Sequence, residues 1–170
     1  MDVLPRTGFS SKSQPLPDSM PKDLRYEPLE MILELPSLDV LSEIVEVPAL
    51  DNEYAVTWLD NAVGILEGSA RPGQGTLILA AHNHLSETES GPFALLGCLK
   101  EGERIFIRDK ENNLLRYSVY ANVKVAETDF ESVGQIADAF EDALIMITCE
   151  DERISGGYAN RRIVAARKLR

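Results

Sequence analysis

Three side chains that could act together in nucleophilic catalysis lie beside apolar segments typical of strands. Cys149 closes the apolar run Ala143–Cys149, and His82 directly follows a second run, Thr76–Ala81. A neutral imidazole next to a thiol can accept its proton, and the resulting imidazolium then holds the thiolate. Arg161 begins a third apolar run, and a guanidinium beside a thiolate would stabilise a developing oxyanion. These residue types predict a nucleophilic cysteine if the fold brings the three segments together.

Each of these residues also has a purely structural interpretation. A free cysteine usually packs in the core, a histidine at the end of a strand is often simply hydrogen-bonded, and an arginine there is usually solvated. Arg162 is an alternative to Arg161 as the arginine that faces the cysteine, because the two-residue period of a strand places these neighbours on opposite faces. His82 and His84 could instead begin a zinc site that Cys149 completes. Since the chain has two cysteines and two histidines, we expect neither a metal nor a cofactor.

The elements that must position these side chains are mainly strands. Besides the three runs above, short apolar segments bounded by turn residues predict further strands at Leu29–Leu35, Leu41–Val47, Arg104–Arg108, Leu114–Tyr120 and Asn122–Glu127. Residues 109–113 predict a hairpin turn with asparagines that tolerate the left-handed conformation. Helices are predicted at Phe93–Leu99, where we interpret Cys98 as a core residue, and at Ser132–Phe140. Many short strands with few helices favour a mainly β fold, either a sandwich or a closed barrel.

Length and charge restrict the classes of function. The chain has 170 residues, which suits one domain, and its formal net charge of −11 argues against nucleic acid or an anionic membrane as partner. Most of its prolines lie before residue 49, so we divide the chain into an extended Pro-rich tail at 1–25 and a folded domain at 26–170. No stretch of about 20 apolar residues predicts a membrane-spanning helix.

Taken together, the motifs resemble the sortases, the cysteine transpeptidases of the Gram-positive cell surface. Thr76–His82 resembles the family's apolar strand that ends in a histidine, although Ala81 stands where glycine is usual. Leu144–Cys149 resembles its L-x-T-C strand, and Arg161 with Ile163 and Val164 resembles its arginine-led last strand. The resemblance runs from about Leu29 to Leu169, with the motifs in the family's order.

This resemblance implies a closed antiparallel β-barrel of about eight strands with short peripheral helices. It implies that Cys149 attacks a threonine carbonyl in an LPxTG-like sorting signal, cleaves between threonine and glycine, and forms a thioester. His82 would move the protons, Arg161 (or Arg162, if the alignment slips by one residue) would steady the oxyanion, and an amine would accept the acyl group. The implied partners are surface proteins with sorting signals and a cell-wall cross-bridge or pilin lysine, at the extracellular face of the membrane.

The tail carries a second signal of the same kind. Leu4–Gly8 reads LPRTG, which has the form of the sorting pentapeptide. We therefore hypothesise that this segment occupies a sortase cleft, its own or a neighbour's, as an inhibitor or poor substrate; a simple tether is the alternative. Two other functions stay open for the domain. Water could replace the amine, which gives a cysteine endopeptidase, or the barrel could be a binding module in which Cys149 and His82 only pack.

Overall fold

A computed structural model of the chain describes residues 20–50, 53–86, 88–152 and 158–170. Leu4–Gly8 lies outside these ranges. The described part is mostly strand: β1 (Glu27–Leu35), β2 (Val40–Val47), β3 (Ala49–Leu50), β4 (Glu53–Tyr54), β5 (Val63–Leu66), β6 (Leu77–Ala80), β7 (Arg104–Asp109), β8 (Leu114–Ala126), β9 (Ala143–Glu152) and β10 (Tyr158–Lys168). It also contains the helix α1 (Phe130–Ala137) and two 3₁₀ helices, at Pro36–Leu38 and Leu96–Cys98.

Eight of the described strands close into a barrel in the order β1-β2-β5-β6-β9-β10-β8-β7, and β7 pairs with β1 to complete the ring. The mainly β fold and the closed barrel are therefore confirmed. Most neighbours are antiparallel, but β2 with β5 and β6 with β9 are parallel. Parallel neighbours end at the same edge of a sheet. Because β6 and β9 are parallel, residues that follow β6 lie near the last residues of β9.

Side chains of alternate strand residues pack in two apolar layers. The first layer takes side chains from all eight barrel strands, so it fills the barrel interior; on β9 it includes Leu144 and Met146. The second layer takes Ile145 and Ile147 of β9, together with residues of β2, β5, β6 and β10, and is covered by α1 and by the segment 54–59. Cys149 continues the period of Ile145 and Ile147 and therefore faces the outer layer.

Several predicted elements differ from those observed. The two strands predicted at Leu114–Tyr120 and Asn122–Glu127 are one strand, β8. A bulge leaves Tyr120 without a partner on β10, since Ala165 pairs with Ala121 and Ala166 with Val119, and the strand continues through it. The sequence patterns also missed β3, β4 and β5. The four residues of β5 are all buried, so they lack the alternation that marks a half-buried strand.

The predicted helix Phe93–Leu99 is reduced to the 3₁₀ helix Leu96–Cys98. Side chains three residues apart share a face of a 3₁₀ helix, so Leu96 and Leu99 are buried while Cys98 is exposed. The interpretation of Cys98 as a core residue is therefore wrong.

The helix predicted at Ser132–Phe140 is α1, and it begins earlier. The Asp129 side chain accepts hydrogen bonds from the Ser132 backbone N–H (3.1 Å) and hydroxyl (2.7 Å) and so caps the N-terminus. The hairpin between β7 and β8 is confirmed, with Asn112 in the left-handed region at φ 67°. None of the helices within the described ranges is both long and apolar enough to cross a membrane.

Candidate active site

Arg161 and Cys149 are direct neighbours on the antiparallel pair β9–β10. The register places Arg161 opposite Cys149, and in such a pair the two side chains share one face with their Cβ atoms about 5 Å apart. Both residues are buried, each with 6% of its surface exposed. The guanidinium is thus held on the thiol's face of the sheet, in the polar end of the outer layer.

The parallel register of β6 and β9 brings the segment that follows β6, which carries His82, to the end of β9 that carries Cys149. Ala80 at the end of β6 pairs with Ile147, so the same register continued by two residues puts His82 level with Cys149. Adjacent strands lie about 4.8 Å apart, which sets the spacing of the two backbones if it continues. The backbone segments that carry these three residues therefore lie together at one end of the outer layer.

Three hydrogen bonds hold the segment around His82 to β9 beyond the end of β6. The Ala81 N–H donates to the Ile147 carbonyl (3.3 Å), and the Thr148 hydroxyl donates to the Ala81 carbonyl (2.8 Å). The Asn83 side-chain amide donates to the carbonyl of Cys149 itself (2.9 Å). His82 lies between the two residues that make these bonds, so its backbone is fixed relative to the cysteine.

Further contacts fix the His82 ring and backbone from the other side. Its Nε2 lies 3.2 Å from the Thr57 carbonyl oxygen, which can only accept, so Nε2 is the protonated nitrogen of the neutral ring. The backbone carbonyl of Val56 also acts on the ring. The His82 carbonyl accepts from the Phe93 N–H (3.1 Å), and a Cβ on Gly91 would lie 2.2 Å from that carbonyl oxygen. Glycine at 91 is therefore required for the close approach of the two segments.

Burial favours the neutral forms of both the thiol and the imidazole. It raises the pKa of Cys149 to about 12, while Arg161 lowers that pKa and Glu127 raises it by a smaller amount. Burial also lowers the pKa of His82, against opposing contributions from nearby backbone carbonyls and Asp60. At neutral pH both side chains are therefore uncharged, as a thiol and a neutral imidazole.

The two candidate arginines lie on opposite faces, as the strand period predicts. Arg162 donates from Nε (2.5 Å) and Nη2 (2.7 Å) to the two carboxylate oxygens of Glu150, and from Nη1 to the Asn122 side chain (3.3 Å). This fork-to-fork geometry commits Arg162 to an ion pair away from Cys149. Arg161 is the arginine on the thiol's face.

Two features of the site differ from the sequence-based expectations. The strand predicted to end at Cys149 continues as β9 to Glu152, and the thiol is nearly buried. The strand β6 ends at Ala80, so His84 does not share a strand face with His82; it forms an isolated bridge with Ser90. The polar loop at 153–157 lies outside the described residues.

The sequence analysis missed Asn83, Thr148 and Glu127. Asn83 and Thr148 make the hydrogen bonds described above, and Glu127 lies beside Arg161, with 3.6 Å between the Glu127 carboxylate and Nη2. Asn83 and Thr148 could have been found from the sequence, because each is a polar residue next to a candidate catalytic residue. Glu127 gave no such signal, because it follows another strand, β8, and is far from Arg161 along the chain. Within the described ranges, no group of three or more His, Cys, Asp or Glu side chains is arranged to hold a metal ion.

A family model described as the sortase domain matches residues 33–169. The chain belongs to the sortase family. This family acts at the Gram-positive cell surface, and membership together with the fold indicates a sortase-type enzyme. The resemblance inferred from the motifs is therefore confirmed. No match was found among the curated proteins by sequence.

Solved sortase structures share the fold. A lid mutant of sortase A from Corynebacterium diphtheriae superposes with a TM-score of 0.68 at 24% identity, covering 88% of this chain and 74% of that one. Sortase C-1 from Actinomyces oris gives 0.65 at 20% identity, covering 85% and 75%. Sortase E1 from Streptomyces coelicolor, with a tripeptide in its active site, gives 0.65 at 19% identity, covering 85% and 89%. At these identities the likeness concerns the fold alone.

Proposed function

We propose that this chain is a cysteine transpeptidase that cleaves an LPxTG-like sorting signal between threonine and glycine and transfers the acyl group to an amine. The observation that carries the proposal is the arrangement around Cys149. Arg161 pairs with it in register on one side, and the parallel register of β6 brings His82 level with it on the other. Family membership supports the reaction type, and a Clostridium perfringens neighbour at 22% identity is described as a sortase transpeptidase.

The acylation step starts from the neutral pair. The Cys149 thiol gives its proton to the imidazole of His82, and the thiolate attacks the threonine carbonyl carbon. The resulting oxyanion is stabilised by the Arg161 guanidinium, a fixed charge in a site with little water. When the C–N bond breaks, the imidazolium returns the proton to the leaving glycine nitrogen, which departs as a neutral amine. The product of this half-reaction is a thioester on Cys149.

The second half-reaction reverses the roles. A neutral amine attacks the thioester carbonyl, and His82 takes the proton that the attacking nitrogen loses. The thiolate leaves as the new amide bond forms, and protonation from the imidazolium restores the resting pair. Arg161 stabilises the same oxyanion in both directions. The acceptor is a cell-wall cross-bridge amine or a pilin lysine, and the substrates are surface proteins that carry a sorting signal.

The test is incubation of the full chain with an LPxTG peptide, with and without diglycine, followed by mass spectrometry. We expect the amine-exchanged peptide from the wild type and none from Cys149→Ala. The matched control is Cys98→Ala, which removes the exposed cysteine and leaves exchange intact. Cleavage that yields only the free acid, even with diglycine, would replace the transpeptidase by an endopeptidase. If neither a covalent adduct nor a product forms, the result would favour the alternative of a non-catalytic binding module.

The proposal distinguishes Arg161 from Arg162 by their partners. We expect Arg161→Gln to lower kcat/KM by about 100-fold or more, the magnitude typical of losing an oxyanion donor. Arg162→Gln loses its bonds with Glu150 and Asn122 and should reduce thermal stability more than turnover. Equal losses of turnover in both variants would contradict the assignment.

We also propose that the LPRTG segment at Leu4–Gly8 competes for the cleft in the same or a neighbouring molecule. The support is its sequence, which has the form of the proposed substrate. Removal of residues 1–25 should then lower KM for the peptide without lowering kcat. Mass spectrometry for cleavage between Thr7 and Gly8 separates a substrate from an inhibitor. Unchanged kinetics would reduce the segment to a tether.

A further inference from the structure

Glu127 forms a buried ion pair with the arginine that faces the thiol. The carboxylate Oε2 lies 3.6 Å from Nη2 of Arg161, and the two side chains expose 15% and 8% of their surface. A buried charge needs a partner, because leaving water costs several kcal/mol for an ion of this size. The pair lies at the outer-layer end that contains Cys149, and no step of the proposed reaction uses Glu127.

The backbone holds Glu127 where its side chain reaches Arg161. The β8–β10 ladder pairs Arg161 with Val125, and Glu127 follows two residues later, on the same face by the period of a strand. Its N–H continues the ladder by donating to the Ala159 carbonyl (3.3 Å). Two residues further on, Asp129 caps α1. Glu127 is thus anchored between a ladder and a helix cap.

Charged and titratable groups reach this end of the layer from each adjoining element. β9 contributes Cys149, β10 contributes Arg161, and the segment after β6 contributes His82, with Asp60 acting on that histidine from the segment before β5. The helix α1 contributes apolar Val133 and Ala137 to the outer layer, and its cap Asp129 is occupied by Ser132. Of these groups, Glu127 is the carboxylate that pairs with Arg161.

We propose that Glu127 is a positioning residue that holds the Arg161 guanidinium beside Cys149 and limits how much of its positive charge the thiol experiences. This inference rests on the proposed function. The two effects follow from the same contact. The carboxylate fixes the guanidinium in a geometry ready for the oxyanion, and its negative charge opposes the stabilisation that Arg161 gives to a resting thiolate.

The two effects are separated by two substitutions. Glu127→Gln keeps an oxygen that can accept from Arg161 but removes the charge, and Glu127→Ala removes both. In a Cys98→Ala background, we expect Glu127→Gln to speed alkylation of Cys149 by iodoacetamide about threefold at pH 8. Loss of the nearby carboxylate lowers the pKa of the thiol, and a pKa about one unit lower makes the thiolate about tenfold more populated and about threefold less nucleophilic. Peptide turnover (kcat/KM) should fall about tenfold in Glu127→Ala and recover in Glu127→Gln.

The matched control is Glu150→Gln, which removes the charge from the Glu150–Arg162 pair on the opposite face. It should leave the alkylation profile of Cys149 unchanged. Thermal melting identifies any loss of folded protein, and both rates are measured well below the melting temperature. An unchanged alkylation profile in Glu127→Gln, or full turnover in Glu127→Ala, would overturn the inference. Alkylation needs no peptide. If the wild type shows no transpeptidation, the proposed function is refuted, but the effect of Glu127 on alkylation of Cys149 can still be measured.

Discussion

The protonation state of Cys149 gives the sharpest quantitative prediction. In Cys98→Ala, Cys149 is the one remaining cysteine, since the chain has two. With the pKa of Cys149 raised to about 12, its thiolate fraction at pH 7 is about 10⁻⁵. A free thiol with an ordinary pKa of about 8.5 has a fraction of about 3 × 10⁻² under the same conditions. The populations of the reactive form therefore differ about 3,000-fold.

Part of this difference is offset by reactivity. A thiolate of higher pKa is more nucleophilic, with a Brønsted slope of about 0.5, which gives back about 50-fold over this interval. Iodoacetamide should therefore modify Cys149 about 50-fold more slowly than the cysteine of a short peptide with blocked ends at pH 7. Limited access lowers the rate further, since 6% of the residue is exposed.

The assay is alkylation followed by intact-mass spectrometry from pH 6 to pH 10. The rate should rise about tenfold per pH unit without a plateau, because the thiol stays mostly protonated throughout. Arg161→Gln removes the positive charge that lowers this pKa and should slow the reaction at every pH. A plateau below pH 9, or modification faster than that of the free thiol, would refute the conclusion that burial dominates this site.

Three further predictions concern the surroundings of the site. Burial lowers the pKa of His82, so below about pH 6.5 the unfolded chain binds a proton that the folded chain resists, and stability should fall as the pH decreases. The free energy of unfolding in urea should therefore differ less between pH 7.5 and pH 5.5 in His82→Gln than in the wild type. An equal difference in the two proteins would contradict the sign. Gly91→Ala should destabilise the fold by about 2 kcal/mol or more, because its Cβ meets the His82 backbone oxygen at 2.2 Å. Gly97→Ala is the control in thermal melting, because its Cβ would come no closer than 3.2 Å, to a side-chain atom of Arg162. Asn83→Ala loses the bond to the Cys149 carbonyl and should cost about 1 kcal/mol of stability; peptide turnover should fall more than tenfold if this bond also positions His82, and by no more than the stability loss explains if it does not.

Local patterns were sufficient for most strands and insufficient where burial or tertiary contacts override periodicity. The run ending at Cys149 and the hairpin at 109–113 carry their own signals in composition and turn residues. The strand β5 does not, because all four of its residues are buried and no alternation marks it. The exposure of Cys98 was also missed, because a helical period was assumed where a 3₁₀ helix turns that side chain outwards.

The amino-acid sequence by itself determined the reactive residue types, their order and the mainly β class, since these depend on side-chain chemistry and on short-range alternation along each strand. The closed barrel and the family followed from the resemblance of the motifs to sortases. Only the tertiary structure decided which of them meet. The parallel register of β6 and β9 brings the segment that carries His82 to the end of β9, and the antiparallel register of β9 and β10 places Arg161, and not Arg162, opposite Cys149. The burial of the Cys149 thiol and the position of Glu127 near it depend on segments far apart along the chain, so no local sequence pattern predicts them.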